Sequence, residues 1–157
     1  MPIFVFLHVL TIFAAVALAY GPAALIILAS RRRDVGALRG IVNTYDRLGA
    51  AVRPTFGLGI VFGFAAVFFH GFDPLLGWLV IAYVLVIASL LTTFTFTNPW
   101  IKKVDAAAAA SPDNQMSPEL ESLLNAPGNQ LLLTFDALII VLLIADMVLK
   151  PIPVRLF

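Results

Sequence analysis

Two histidines, His8 and His70, are the only imidazoles in a chain of 157 residues that contains no cysteine. A pair of neutral imidazoles facing each other across packed helices is what axial ligation of a b-type haem requires. The same pair would make half of a copper or zinc site, with Asp73 or Asp146 as a further ligand. It would equally serve as two interfacial side chains bonded to headgroups, carbonyls or Asp146. Asp136 is the other candidate, because an ionisable residue inside a long apolar run is costly and marks function by default. Its chemistry would be a proton-carrying carboxyl, a substrate contact or a hydrogen bond that ties helices together. Thr92 and Thr93, and Tyr20 a little deeper, are expected near its depth. Asp146 and Lys150, four residues apart in the favourable order, read as a surface ion pair. The absence of cysteine removes disulfides, thiolate metal sites, iron–sulfur clusters and covalent haem attachment.

The elements that must position these groups are membrane spans. Hydrophobic residues make up 61% of the chain and charged ones 12%, about half the charged share of a soluble domain. The mean hydropathy is +1.00. Residues 3–30 carry no formal charge, more than the roughly 20 positions that cross a bilayer. Nothing basic precedes this run except the amino terminus, so it reads as a retained span and not a signal peptide. Further spans are expected at about 54–70, 75–97 and 130–149, giving an all-α fold of four transmembrane helices in one bundle and a single membrane domain.

Charge sets the direction. Arg31, Arg32, Arg33, Arg39, Arg47, Arg53, Lys102 and Lys103 fall in the connections 31–53 and 98–129, while only Lys150 and Arg155 fall outside them. Basic residues stay in the cytoplasm, so both termini are expected outside the cytoplasm in a multi-pass protein of the cell membrane. Within 31–53, Val35, Leu38, Ile41, Val42 and Leu48 leave an apolar stripe. This segment reads either as an interfacial amphipathic helix or as a solvated connector. At 1.5 Å per residue, His70 stands roughly 25 Å above Arg53 and His8 about 34 Å above Arg31, which puts both rings in the outer half.

Small residues supply packing faces. Gly59 and Gly63 form a G-x-x-x-G pair, expected opposite Ala14, Ala17 and Gly21 on the first helix. Pro22 is expected to kink that helix, and Pro54 to open the second. Trp78 and Trp100 suit the two aromatic belts, and Asn98-Pro99 is expected to stop the third span. Residues 104–128 read as a mobile loop, with a turn at Ser111-Pro112-Asp113-Asn114 and a short helix capped by Ser117 with Pro118 at its first position. The implied partners are the lipid bilayer and a homo-oligomer or larger membrane complex. No phosphate-binding, nucleophile or dinucleotide motif is present, and the basic residues lie at the membrane surface, so nucleic-acid binding has no support.

The run Phe6-Leu7-His8-Val9-Leu10, the small residues up to Gly21, the arginine-rich first connection and the glycine-rich second helix together carry a resemblance. They resemble a family of small bacterial four-helix integral membrane proteins of uncharacterised function. That family is similar in layout to CopD-type copper-resistance membrane domains and HemJ-type protoporphyrinogen oxidases. The resemblance implies an association of haem with the first-helix histidine, which transfers to His8 alone. Other functional residues of the HemJ type have no match here, so its enzymatic activity does not carry over. Two roles follow as expectations: a haem or metal site near the outer face, or a non-catalytic membrane subunit packing through its glycine and alanine faces.

Overall fold

The computed structural model describes residues 2–113 and 115–155. Asn114, part of the expected turn, lies outside them. The described residues are helical with no strand: α1 Pro2–Arg31, α2 Val35–His70, α3 Gly77–Thr92, a π-helical turn Thr93–Thr97, α4 Asn98–Ala110, α5 Pro118–Asn125 and α6 Pro127–Leu149. Four helical stretches are long and apolar enough to cross a membrane: Ile3–Arg31, Val35–His70, Gly77–Ala110 and Pro127–Leu149. The chain divides into two compact units. One joins Met1–Gly71 to Val104–Glu121, and the other joins Phe72–Lys103 to Ser122–Phe157.

The first unit is built on the α1–α2 hairpin. Its turn is much shorter than the connection expected at 31–53, because α2 begins at Val35 and runs unbroken through Pro54. The apolar stripe of that segment belongs to α2 itself, where an interfacial helix or a solvated connector was expected. Arg33 takes a left-handed conformation (φ 56°) to reverse the chain. Asp34 then caps α2, its Oδ1 accepting the N–H of Ala37 at 2.8 Å, a contribution of about 1 kcal/mol. Gly71 (φ 67°) ends α2 in the left-handed region, where a Cβ would be strained. α1 likewise continues through Pro22.

Phe4 stacks on Phe69 with ring centroids 4.9 Å apart, and Ile12 packs on Gly59. Arg53 lies six residues before Gly59 and Leu18 six after Ile12, so antiparallel pairing sets Arg53 level with Leu18. Arg47 and Arg53 therefore stand alongside α1 and not beyond its end.

The stretch expected to be a mobile loop is instead packed. Leu38 and Val42 of α2, Val104 and Ala108 of α4, and Leu120 of α5 have no exposed surface. Arg39 binds this segment through Nε to the Ala108 carbonyl at 2.8 Å, and through its terminal nitrogens to the Ser111 carbonyl and Asp113. Arg33 pairs with Glu121. The expected Ser117 cap is present, with its Oγ accepting the Leu120 N–H at 3.2 Å. Buried Ser111 supports it, donating from Oγ to the Ala107 carbonyl at 2.8 Å and accepting the Ser117 N–H at 3.2 Å. Burying a Leu or Val from water is worth about 1.5–3 kcal/mol, whereas lipid supplies no such drive between helices.

In the second unit α3 packs antiparallel on α6. The helix does not stop at Asn98-Pro99, where the end of the third span was expected. Pro99 lacks an N–H and would clash with a carbonyl one α-turn back. The wider π-turn absorbs it, with the Asn98 N–H reaching the Thr93 carbonyl. Thr92 and Thr95 return their hydroxyls to the Ala88 and Leu91 carbonyls at 2.9 and 2.6 Å. α6 opens at Pro127, three residues earlier than expected. After α6 the chain folds back over the start of α3. There the Gly77 and Trp78 N–H groups, which have no partner inside the helix, donate to the carbonyls of Val154 and Ile152 at 2.9 and 3.1 Å. Gly77 is required, because a Cβ would lie 2.4 Å from Ile152 Cγ2 and 3.0 Å from its carbonyl oxygen.

Candidate functional site

The histidines lie in one unit, at different heights along the α1–α2 hairpin. His8 is half-buried on α1, with Nδ1 2.7 Å from the Gly59 carbonyl oxygen, so in the Nδ1–H tautomer it donates that bond. Its ring occupies the space vacated at Gly63, where a Cβ would fall 2.9 Å from Nδ1 and 3.0 Å from Cε1. His70 is exposed at the last position of α2. The seven residues from Gly63 to His70 rise roughly 10 Å along α2, and the Phe4–Phe69 stack lies at the His70 end of that rise. Two imidazoles on one iron must each approach it to about 2 Å. A His8 bonded to the Gly59 carbonyl and an exposed His70 at the end of α2 give no indication of a shared haem or metal ion. Among the described residues no three His, Asp or Glu side chains gather as a metal site.

The glycine pair does make a close contact, but with a different face of α1. Gly59 and Gly63 receive Thr11, Ile12 and His8, whereas the expected partner Gly21 has no atom within 4 Å of an added Cβ. His8 is thus the knob that the G-x-x-x-G notch accepts. Tyr20 belongs to this hairpin and is half-buried.

The buried charges are in the other unit. Asp136 is 3% exposed on α6, and the Ser89 hydroxyl of α3 donates to its Oδ1 at 3.3 Å. Thr92, expected as its neighbour, is buried but spends its hydroxyl on the backbone; Thr93 opens the π-turn. Ser89 was missed, although it lies one helical turn from both threonines and so on their face of α3. Asp146, ten residues further along α6, is 6% exposed. Both of its carboxylate oxygens are buried with no hydrogen-bond partner among the described residues.

The expected Asp146–Lys150 ion pair is not formed. Lys150 leaves the helix in a left-handed conformation, which satisfies the Asp146 backbone carbonyl through its N–H at 2.8 Å. Its ammonium lies 5.3 Å from the Phe72 ring centre and 5.1 Å from that of Trp78, a cation–π arrangement. Asp73 is held by Arg155 at 3.5 Å. Trp78 and Trp100 are buried rather than exposed to a lipid interface, and the Trp100 Nε1–H donates to the Leu123 carbonyl at 3.1 Å.

An orphan carboxyl in an apolar helix pair cannot hold a charge cheaply. It must take a proton, take a cation or meet water. Comparison with protein-family models, curated proteins and solved structures gives no match, which leaves geometry to weigh these outcomes.

Proposed function

We propose that this multi-pass membrane protein exchanges protons through the α3–α6 pair, with Asp146 as the exchanging carboxyl and Asp136 as a second carboxyl anchored by Ser89. The observation that carries this reading is the pair of unpartnered, buried oxygens on Asp146. On uptake a carboxylate oxygen forms an O–H bond with a proton from water; on release that bond breaks and the proton returns to water. No electron moves. The remaining titratable groups of this unit's outer end have other engagements: Lys150 on the Phe72 and Trp78 rings and Asp73 on Arg155. Tyr83 of α3 also has an interaction of its own.

Both termini lie outside the cytoplasm in this reading, because the arginine and lysine clusters stay inside. The inner membrane boundary on the first hairpin falls near Tyr20 and Arg53. Beyond it the packed ends of α1 and α2, with residues 104–121, form a cytoplasmic cap. The haem alternative keeps only His8, whose Nδ1 already bonds Gly59, and the scaffold alternative loses the Gly59–Gly63 face to an internal contact.

Proteoliposomes with an internal pH dye and an imposed gradient test the reading. Protein-dependent proton uptake that is lost in Asp146→Asn and kept in Asp73→Asn supports it. Equal uptake in wild type and Asp146→Asn would overturn it.

A further inference from the structure

Residues 150–155 form a strap from the end of α6 to the start of α3, wholly within the second unit. It leaves α6 at Lys150, whose φ of 46° is costly for any residue but glycine. Pro151 and Pro153 fix two of its φ angles, so the strap gives up little chain freedom in lying down. Ile152 then packs on Gly77, and the carbonyls of Ile152 and Val154 take the Trp78 and Gly77 N–H groups at 3.1 and 2.9 Å. Leu76 faces Arg155 in an antiparallel bridge.

The Ser89–Asp136 hydrogen bond sets the register of α3 against α6. Ten residues away on each antiparallel helix, Asp146 stands level with Leu79, which is 2% exposed. The strap is bonded to Gly77 and Trp78, roughly 2–3 Å further out at 1.5 Å per residue, and it leaves α6 one turn beyond Asp146. It therefore crosses the end of the helix pair above two carboxylate oxygens that have no hydrogen-bond partner among the described residues. Its fastenings are slight. The Asp73–Arg155 pair, at 3.5 Å, joins side chains 37% and 61% exposed, a geometry that contributes little in water. Ile152 is half-buried, and the rest of the strap is exposed.

We propose that the strap is the gate of the Asp146 site: seated on Gly77 and Trp78 it excludes water from the carboxyl, and released from them it admits water. Segments with few buried contacts open locally while the helices beneath them stay folded. Lys150, with its ammonium on the Phe72 and Trp78 rings, is the hinge, and Ile152 on Gly77 is the catch. The gate rests on the proton-exchange reading only for what passes through it.

The chain contains no cysteine, so Asp146→Cys in the full chain reports access directly, through its rate of reaction with a charged methanethiosulfonate in detergent micelles. That rate should be low with the strap intact. Ile152→Ala should raise it about tenfold, the population shift expected when half the burial of an isoleucine is lost. Val154→Ala should leave it unchanged, because this exposed residue contributes only its carbonyl. Asp136→Cys, ten residues deeper, should not respond to Ile152→Ala. A perturbation of opposite sign separates gating from damage. Leu76 and Arg155 are opposed at a non-hydrogen-bonded position of the bridge, where Cα atoms stand about 4.5 Å apart, within disulfide reach. In Leu76→Cys/Arg155→Cys with Asp146 kept, proton uptake into proteoliposomes should fall at least about tenfold on oxidation and recover on reduction. Fast labelling of Asp146→Cys under an intact strap, an unchanged rate in Ile152→Ala, or uptake indifferent to the disulfide would overturn the gate. Wild-type uptake that does not depend on Asp146 would instead remove the proton-exchange reading, and the thiol rates would still decide the strap.

Discussion

Adding one methyl group at Gly63 separates the two effects that a membrane glycine combines. The new Cβ would lie 2.9 Å from His8 Nδ1 and 3.0 Å from Cε1, several tenths of an ångström inside ordinary contact. The ring cannot swing away freely, because Nδ1 is bonded to the Gly59 carbonyl at 2.7 Å on the same helix face. Overpacking of this kind costs about 1–3 kcal/mol, and weakening an interhelical hydrogen bond in a membrane adds roughly 0.6 kcal/mol. Replacing glycine by alanine within a helix returns up to about 1 kcal/mol. Gly57→Ala receives only that gain, since nothing lies within 4 Å of its added Cβ. Gly63→Ala should therefore be less stable than Gly57→Ala by about 1–3 kcal/mol in reversible unfolding from detergent micelles. In a His8→Ala background most of that difference should vanish, as coupling between contacting residues requires. Equal stability of the two glycine variants, or an unchanged difference without the imidazole, would refute the notch-and-knob account.

The histidines should behave as strangers. His8→Ala should destabilise the hairpin and His70→Ala should not, with the double variant additive within about 0.5 kcal/mol; a coupling above that in thermal unfolding would restore a shared site. For topology, a single cysteine at Gly36, beside the hairpin turn, should react with a membrane-impermeant maleimide only after the cytoplasmic side is opened. Labelling in intact cells would invert the proposed orientation.

The spans were legible because lipid demands long uncharged runs, and residues 3–30 supply one with no ambiguity. What the apolar run could not show was where α2 begins. Val35 to Arg53 has the charges of a loop and the apolar period of a helix, and the Asp34 cap decided for one continuous helix. Pro54 and Pro99 look like boundaries, yet a long helix passes each of them, at Pro99 through a π-turn. Residues 104–121 look like a solvated connection because their alanines are small and their charges many. Their order comes from Arg39, which reaches back from α2 across roughly seventy positions of sequence.

The site was legible in part. Asp136 stands out as a charge in an apolar run, and it is buried. Asp146 was misjudged because the i,i+4 rule assumes that the helix continues, whereas Lys150 takes a left-handed conformation and turns its ammonium to the rings of Phe72 and Trp78. The histidines attracted attention by rarity alone. Whether two rings share a ligand depends on helix register, and only the glycine notch and the Phe4–Phe69 stack fix that.

The most direct measurement is infrared difference spectroscopy of the reconstituted protein across a step in bulk pH. The account predicts a carboxyl C=O band that appears and disappears with the step, is removed by Asp146→Asn, and survives Asp73→Asn. A spectrum that contains no such band, or one that Asp146→Asn leaves intact, would contradict proton exchange at the α3–α6 pair.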